Sequence, residues 1–150
     1  MKCLIVYQSL TGNTAKIVEG MAVSLGAEVI RINNPNQTAD LSSFDLIGFG
    51  SGIYMGKHHK QILKIAEGVN PKQKVFVFST AGSPSLKFIW HRSLRTALLK
   101  KKAIIIGDYC INGLDLVGPL KKFGGINKGR PNKKDIDSAK NFAEGLKRFV

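Results

Sequence analysis

Acidic residues are scarce in this chain: ten Asp and Glu stand against 23 Lys and Arg, for a formal net charge of +13. The two cysteines, Cys3 and Cys110, show no metal-ligand spacing and read as reduced thiols, so no metal site is expected. No apolar run approaches the roughly 18 residues that a membrane-spanning helix needs. Residues 1–8 turn polar too soon for a secretory signal, and a cytoplasmic location is expected. The chain also lacks a recognition-helix pattern, zinc spacing and any basic stripe interleaved with aromatics. Its pI near 10 therefore does not point to specific nucleic-acid binding. Lys100, Lys101 and Lys102 close a helix, where cations suit the dipole.

What is present suits one packed domain over residues 1–150, with 43% hydrophobic residues and eight Phe to fill a core. Near-continuous apolar runs at 2–8, 28–32, 46–50, 75–79 and 103–109 alternate with helical patterns, as strands of a parallel sheet covered on both faces do. The first helix carries Ile17, Val18, Met21, Ala22 and Leu25 on one face. The next carries Ile62, Leu63, Ala66 and Val69. A third holds Leu86, Ile89, Trp90, Leu94, Ala97 and Leu98, which places the only tryptophan in the core. The last holds Ile136, Ala139, Phe142, Ala143, Leu146 and Phe149. Five strands with helical crossovers imply an α/β, doubly wound parallel sheet with helices on both faces.

Ligands of such sheets bind outside the carboxyl ends of the strands. The first strand end delivers Ser9-Leu10-Thr11-Gly12-Asn13-Thr14 to a helix start. Hydroxyls, an amide and the unpaired N–H groups of a first helical turn converge there, a site for a phosphate dianion. The stretch lacks the lysine of the nucleoside triphosphatase loop and the three glycines of the dinucleotide fingerprint, which argues against ATP and NAD. The plain alternative is a β-to-α turn in which Thr11 or Asn13 caps the helix.

Two further loops leave the same sheet edge. Residues 50–59 hold Gly50, Gly52 and Gly56, which let backbone approach a flat ligand, and Tyr54, an aromatic able to stack on it. Residues 79–84 are again small and polar. Neither loop carries the acids of a Mg²⁺ site. His58 and His59 are expected at the start of the second crossover helix, where paired histidines are usually exposed, and no catalytic residue is singled out. Residues 107–134 form a long glycine-rich connection whose Lys121, Lys122, Lys128, Arg130, Lys133 and Lys134 suit either an anionic partner or a solvated surface.

With these residues in place, the chain resembles the flavodoxins and, more broadly, flavodoxin-like FMN proteins. Ser9, Thr11, Gly12, Asn13 and Thr14 match that family's phosphate loop. Ser51, Gly52, Ile53 and Tyr54 match the loop along one side of the isoalloxazine, and Thr80, Ala81 and Gly82 begin the loop on its other side. The resemblance implies strand order 2-1-3-4-5, FMN as cofactor and redox proteins as partners. Flavodoxins that carry electrons are commonly acidic. Here residues 1–56 hold three Lys and Arg against four acids, so the positive charge belongs to residues 57–150 and suits partners with acidic surfaces. Two functions fit: an electron carrier, or a flavodoxin-like oxidoreductase of the protoporphyrinogen oxidase or quinone reductase type.

Overall fold

The computed structural model describes residues 1–113 and 129–150. Its strands are β1 (Cys3–Gln8), β2 (Glu28–Arg31), β3 (Leu46–Tyr54), β4 (Lys57–His58), β5 (Lys74–Ala81) and β6 (Ile104–Asn112). The helices are α1 (Asn13–Leu25), α2 (Lys60–Ala66), α3 (Lys87–Trp90), α4 (Arg92–Lys100) and α5 (Lys133–Leu146). The order across the sheet is β2-β1-β3-β5-β6, all parallel, with β4 folding back antiparallel onto the end of β3. Apart from that added hairpin strand, this is the expected doubly wound order.

Alternation along β1, β3 and β5 sorts the core into two layers. Leu4, Val6, Ile47, Phe49, Val75 and Val77 pack on the side of α2 and α4. Cys3, Ile5, Tyr7, Leu46, Phe76 and Phe78 pack on the side of α1 and α5. Helix periodicity supplies the matching stripes: Ile17, Val18 and Met21 from α1, and Ala139, Ala143 and Leu146 from α5, close one layer. α5 opens on a capping box in which Asn132 and Asp135 each bond the other's backbone N–H.

Two cross-strand pairs tighten the middle of the sheet. Gly48 lies opposite Phe76 and Gly50 opposite Phe78. A Cβ on Gly48 would sit 2.2 Å from Phe76 Cζ, and one on Gly50 2.2 Å from Phe78 Cε2. The phenyl rings therefore lie over the bare glycine backbone. Gly50, which the sequence suggests as an approach point for a ligand, is covered by a ring instead.

The third helix departs from its expected form. It is a 3₁₀ turn at Pro84–Leu86, then α3 and α4, broken at His91. His91 is drawn wholly into the interior, and the turn before it leaves Leu86, Phe88 and Ile89 exposed. Leu94 and Leu98 are buried as the periodicity requires. Trp90 is half-buried beside Gly56 rather than in the core, and its indole N–H donates to Ser83 O at 2.9 Å. Phe149 is likewise exposed, at the end of the chain.

Gly48→Ala tests the ring-over-glycine packing. Denaturant unfolding should show a loss of about 1–3 kcal/mol from overpacking, and Phe76→Leu in the same chain should recover most of it by opening space above residue 48.

Candidate functional site

The end of β1, the start of α1, the end of β5 and the end of β6 meet at one edge of the sheet. Gly12 takes a left-handed conformation (φ +85°) that swings the chain from strand into helix, and a Cβ there would meet nothing within 4 Å. The position thus combines a backbone that favours glycine with open space in front of it. Among the described residues no side chain caps Gly12 and no acid stands in the first turn of α1, so the positive end of the helix dipole faces the loop. Gly12, rather than Thr11 or Asn13, occupies the N-cap position.

Ser9 is buried, and its Oγ accepts from Gly12 N at 3.1 Å, which fixes the shape of the loop. Leu10 and Thr11 are exposed at its tip, while Asn13 and Thr14 are buried at the helix start. Thr14 Oγ1 lies 3.0 Å from Thr80 Oγ1 and joins α1 to β5 across the sheet edge. Gly113 closes the same corner: a Cβ there would sit 3.0 Å from Thr80 Cβ and 3.2 Å from Asn13 Nδ2. Its N–H donates to Ala81 O at 3.1 Å. Asn13, Thr14, Thr80 and Ala81 are brought together in this way, with Gly82 next along the chain.

Residues 51–54 are not a loop but the end of β3. Ile53 pairs with His58 and Tyr54 with Lys57 around a two-residue turn at Met55 and Gly56, both at positive φ. Strand alternation divides these residues between the two faces. Ser51 faces α2: its hydroxyl donates to Gly52 O at 2.6 Å and accepts from His59 N at 3.0 Å. Ile53 follows it by alternation. Gly52 and Tyr54 share the α1 side, and Tyr54 Oη would lie 2.9 Å from a Cβ on Gly52. Burial raises the phenol pKa of Tyr54, offset in part by the backbone of Leu10, so the ring reaches from the hairpin back to the phosphate-type loop.

Of the two histidines, His58 reverses expectation and His59 stands at the helix start as expected. His58 lies in β4, 1% exposed, with its Nε2 2.9 Å from Phe78 O. Burial, reinforced by nearby His91, lowers its pKa to about 3. His59 caps α2, its Nδ1 accepting from Gln61 N at 3.2 Å.

Beneath residues 80–82 runs a chain of polar groups, buried at Ser79 and His91 and partly exposed at Asp108 and Arg95, that sequence spacing does not reveal. Ser79 Oγ is 2.6 Å from His91 Nε2 and 3.1 Å from Cys110 Sγ. His91 Nδ1 bonds Asp108 Oδ1, and Arg95 Nη1 reaches Asp108 Oδ2 at 2.9 Å. Burial works against ionising Asp108, but the hydrogen bond from His91 and the charges of His91 and Arg95 outweigh it and hold the carboxyl below its ordinary value. The order of contacts is that of a serine hydrolase triad. Ser79 is 0% exposed, however, so no substrate reaches its hydroxyl and the array acts as a strut under the site. Burial pushes the Cys110 thiol up, partly offset by Ser79, and the Cys3 thiol up to about 12, so both stay protonated.

Arg31 is a second group that sequence reasoning missed. Its parallel pairing beside Tyr7 lets Nη2 donate to Ser9 O at 2.9 Å and places a guanidinium beside the loop. Of the basic connection, Arg130 is engaged with Asp135 at 2.5 Å, and Lys133 and Lys134 are exposed at the start of α5. Lys121, Lys122 and Lys128 lie outside the described residues. Among the described residues no cluster of His, Cys, Asp or Glu could hold a metal ion, and no helix is long and apolar enough to cross a membrane.

A parallel α/β sheet with an anion-ready helix start and two flanking strand ends defines the class of doubly wound ligand-binding proteins. A sequence model of the flavodoxin domain family matches residues 4–85, and the chain belongs to that family. It is 44% identical over 148 residues to an uncharacterized protein of Methanocaldococcus jannaschii, covering 97% of this chain and 98% of that one. Among solved structures it resembles oxidised Flavodoxin 2 from Bacillus cereus (TM-score 0.74, 19% identity, 100% of both chains). It also resembles Fusobacterium nucleatum flavodoxin bound to flavin mononucleotide (TM-score 0.69, 16% identity, 100% of this chain and 99% of that one).

His58 gives the site a pH signature. Its folded-state pKa lies below its unfolded value, so between the two the unfolded chain binds the extra proton and stability falls as pH falls. The loss begins near pH 6.5 and reaches about 2 kcal/mol by about pH 5. Denaturant melts of the protein and of His58→Gln across this range should show the slope diminished in the variant.

Proposed function

We propose that this chain is an FMN-binding electron-transfer protein, folded as one domain over residues 1–150, that works in the cytoplasm between redox partner proteins. The observation that carries the reading is the uncapped start of α1 behind left-handed Gly12, bordered by Ser9, Thr14 and Thr80. The FMN phosphate would sit there, held by backbone N–H groups and the hydroxyls of Thr11 and Thr14, with Arg31 adding positive charge from β2. Gly52 and Tyr54 on one side, and Thr80, Ala81 and Gly82 on the other, would flank the isoalloxazine; Ser51 and Ile53 would hold the first flank from behind. Bound FMN supplies one- and two-electron redox chemistry. The protein's own part is to hold the ring between the two strand ends, and the strut from Ser79 to Arg95 keeps the second end in place. A surface rich in Lys and Arg beyond residue 56 favours partners with acidic faces.

Met55 favours a second reading, a turnover oxidoreductase of the quinone reductase or protoporphyrinogen oxidase type. It is 100% exposed at the hairpin tip, beside the ring site, and presents apolar surface to a hydrophobic substrate. Multiple turnovers on a quinone or porphyrinogen would establish the enzyme; electron exchange only with a reductase and an acceptor protein would establish the carrier.

Purified protein should bind one FMN per chain and bind riboflavin far more weakly, because the phosphate carries the affinity. Calorimetric titration of Thr14→Ala should show FMN binding weakened by about 1.5–3 kcal/mol, the scale of a charge-assisted hydrogen bond, with riboflavin little changed. Equal affinity of the unaltered protein for the two flavins would overturn the reading.

Tyr54→Ala should weaken FMN binding by about 1–3 kcal/mol, the scale of aromatic stacking on a base, and should raise the fluorescence of the flavin that remains bound. A variant that loses thermal stability while its folded fraction binds FMN unchanged would place Tyr54 outside the flavin site.

A further inference from the structure

On the α2 side of β1 lies a cavity of about 330 Å³ that shares only Leu10 with the 9–14 loop, near the lower end of the range for small-molecule sites. Leu10, Ile32 and Pro35 form its apolar walls, and Gln8 lines its buried end, with His59 and Lys60 at its edge. Leu4 and Val6 point into the layer beneath α2, so alternation sends the Gln8 side chain to the same face. Gln8 is 6% exposed, and its Oε1 has no hydrogen-bond partner among the described residues. A buried acceptor without a donor is a standing cost that a ligand's O–H or N–H removes.

The surroundings narrow the ligand further. The Gln61 amide donates to Pro35 O and ties the 33–35 segment to α2, so one wall is held in place and that amide is engaged. His59 accepts from Gln61 N through Nδ1, which leaves its ring proton on Nε2, a donor. Lys60 is exposed and cationic, and no Asp or Glu lines the cavity. An acceptor at the buried end, apolar walls between and cationic or donating groups outside describe a molecule of opposite polarity at its two ends.

We propose that this cavity binds a small planar carboxylic acid bearing a hydroxyl or N–H at its far end, with that donor on Gln8 Oε1 and the carboxylate toward Lys60. Leu10 of the 9–14 loop lines the cavity and the ring of His59 meets that of Tyr54 edge-on at 5.6 Å, so the ligand would lie beside the proposed flavin site.

The test uses para-hydroxybenzoate, benzoate and para-hydroxybenzyl alcohol as probes, followed by amide NMR shifts of the full chain, as purified and with FMN added. Para-hydroxybenzoate should shift the signals of the Gln8 side chain, Leu10, Asn33 and Lys60. Benzoate, lacking the donor, should bind at least about tenfold more weakly. In Gln8→Leu the two acids should bind alike, and in Lys60→Gln both acids should weaken while the neutral alcohol is unchanged. No shift at these residues at about 10 mM probe would overturn the proposal and leave Gln8 to water. Equal binding of the two acids by the unaltered protein, or a preference that survives in Gln8→Leu, would overturn it equally. If Gln8→Leu does not fold, the comparison of acids on the unaltered protein decides.

Discussion

Burial of β1, β3 and β5 on both faces is the constraint on which the rest of the molecule depends. A strand covered on two sides has no surface along its length at which to present a polar side chain, so its functional groups appear where it ends. Ser9 and Gly12 follow β1, Gly52 and Tyr54 close β3, and Thr80 and Ala81 close β5. Parallel pairing puts all of these ends at one edge. The two-sided core thus both supplies the stability and collects the site, because the same alternation that fills the layers ends at the same level in neighbouring strands.

The site edge is held by pairs that no short stretch of sequence contains. The Thr14 and Thr80 hydroxyls meet across two elements. Under them, Asp108 on β6 and Ser79 on β5 draw His91 inward from between α3 and α4. That pull accounts for the break in the third helix and for the exposure of Leu86, Phe88 and Ile89, which a straight helix would have turned toward the core. A buried imidazole with both ring nitrogens engaged is satisfied electrostatically, and it fixes the segment that leaves β5 more firmly than apolar contacts alone, since each hydrogen bond is directional.

Charge is divided unevenly along the chain. The first 56 residues, nearly neutral, build the anion-ready loop from backbone and hydroxyls, with Arg31 the one cation bonded to it among the described residues. The basic excess lies beyond them, on Lys57, Lys60, Arg92 and other exposed positions. Under the proposed function, recognition of a phosphate would fall to the first set of groups and attraction of an anionic partner to the second. Screening by salt acts on the second far more than on the first, because exposed charges are screened and buried hydrogen bonds are not.

By itself the sequence determined whatever depends on neighbours along the chain. The alternation of strands and helices was legible because apolar periodicity is local, and the 9–14 loop because its hydroxyls and Gly12 are contiguous. The faces of α1 and α5 followed from spacing alone. The tertiary structure decided what depends on register and crossover. It extended β3 through Tyr54 by pairing it with β4, and so split Ser51 and Ile53 from Gly52 and Tyr54. It laid Phe76 and Phe78 over Gly48 and Gly50, buried His58, moved Trp90 out of the core, and joined Ser79, His91 and Asp108 from three elements. These contacts arise between residues far apart in sequence whose meeting is set by which strand lies beside which, and a periodicity read one segment at a time carries no information about that.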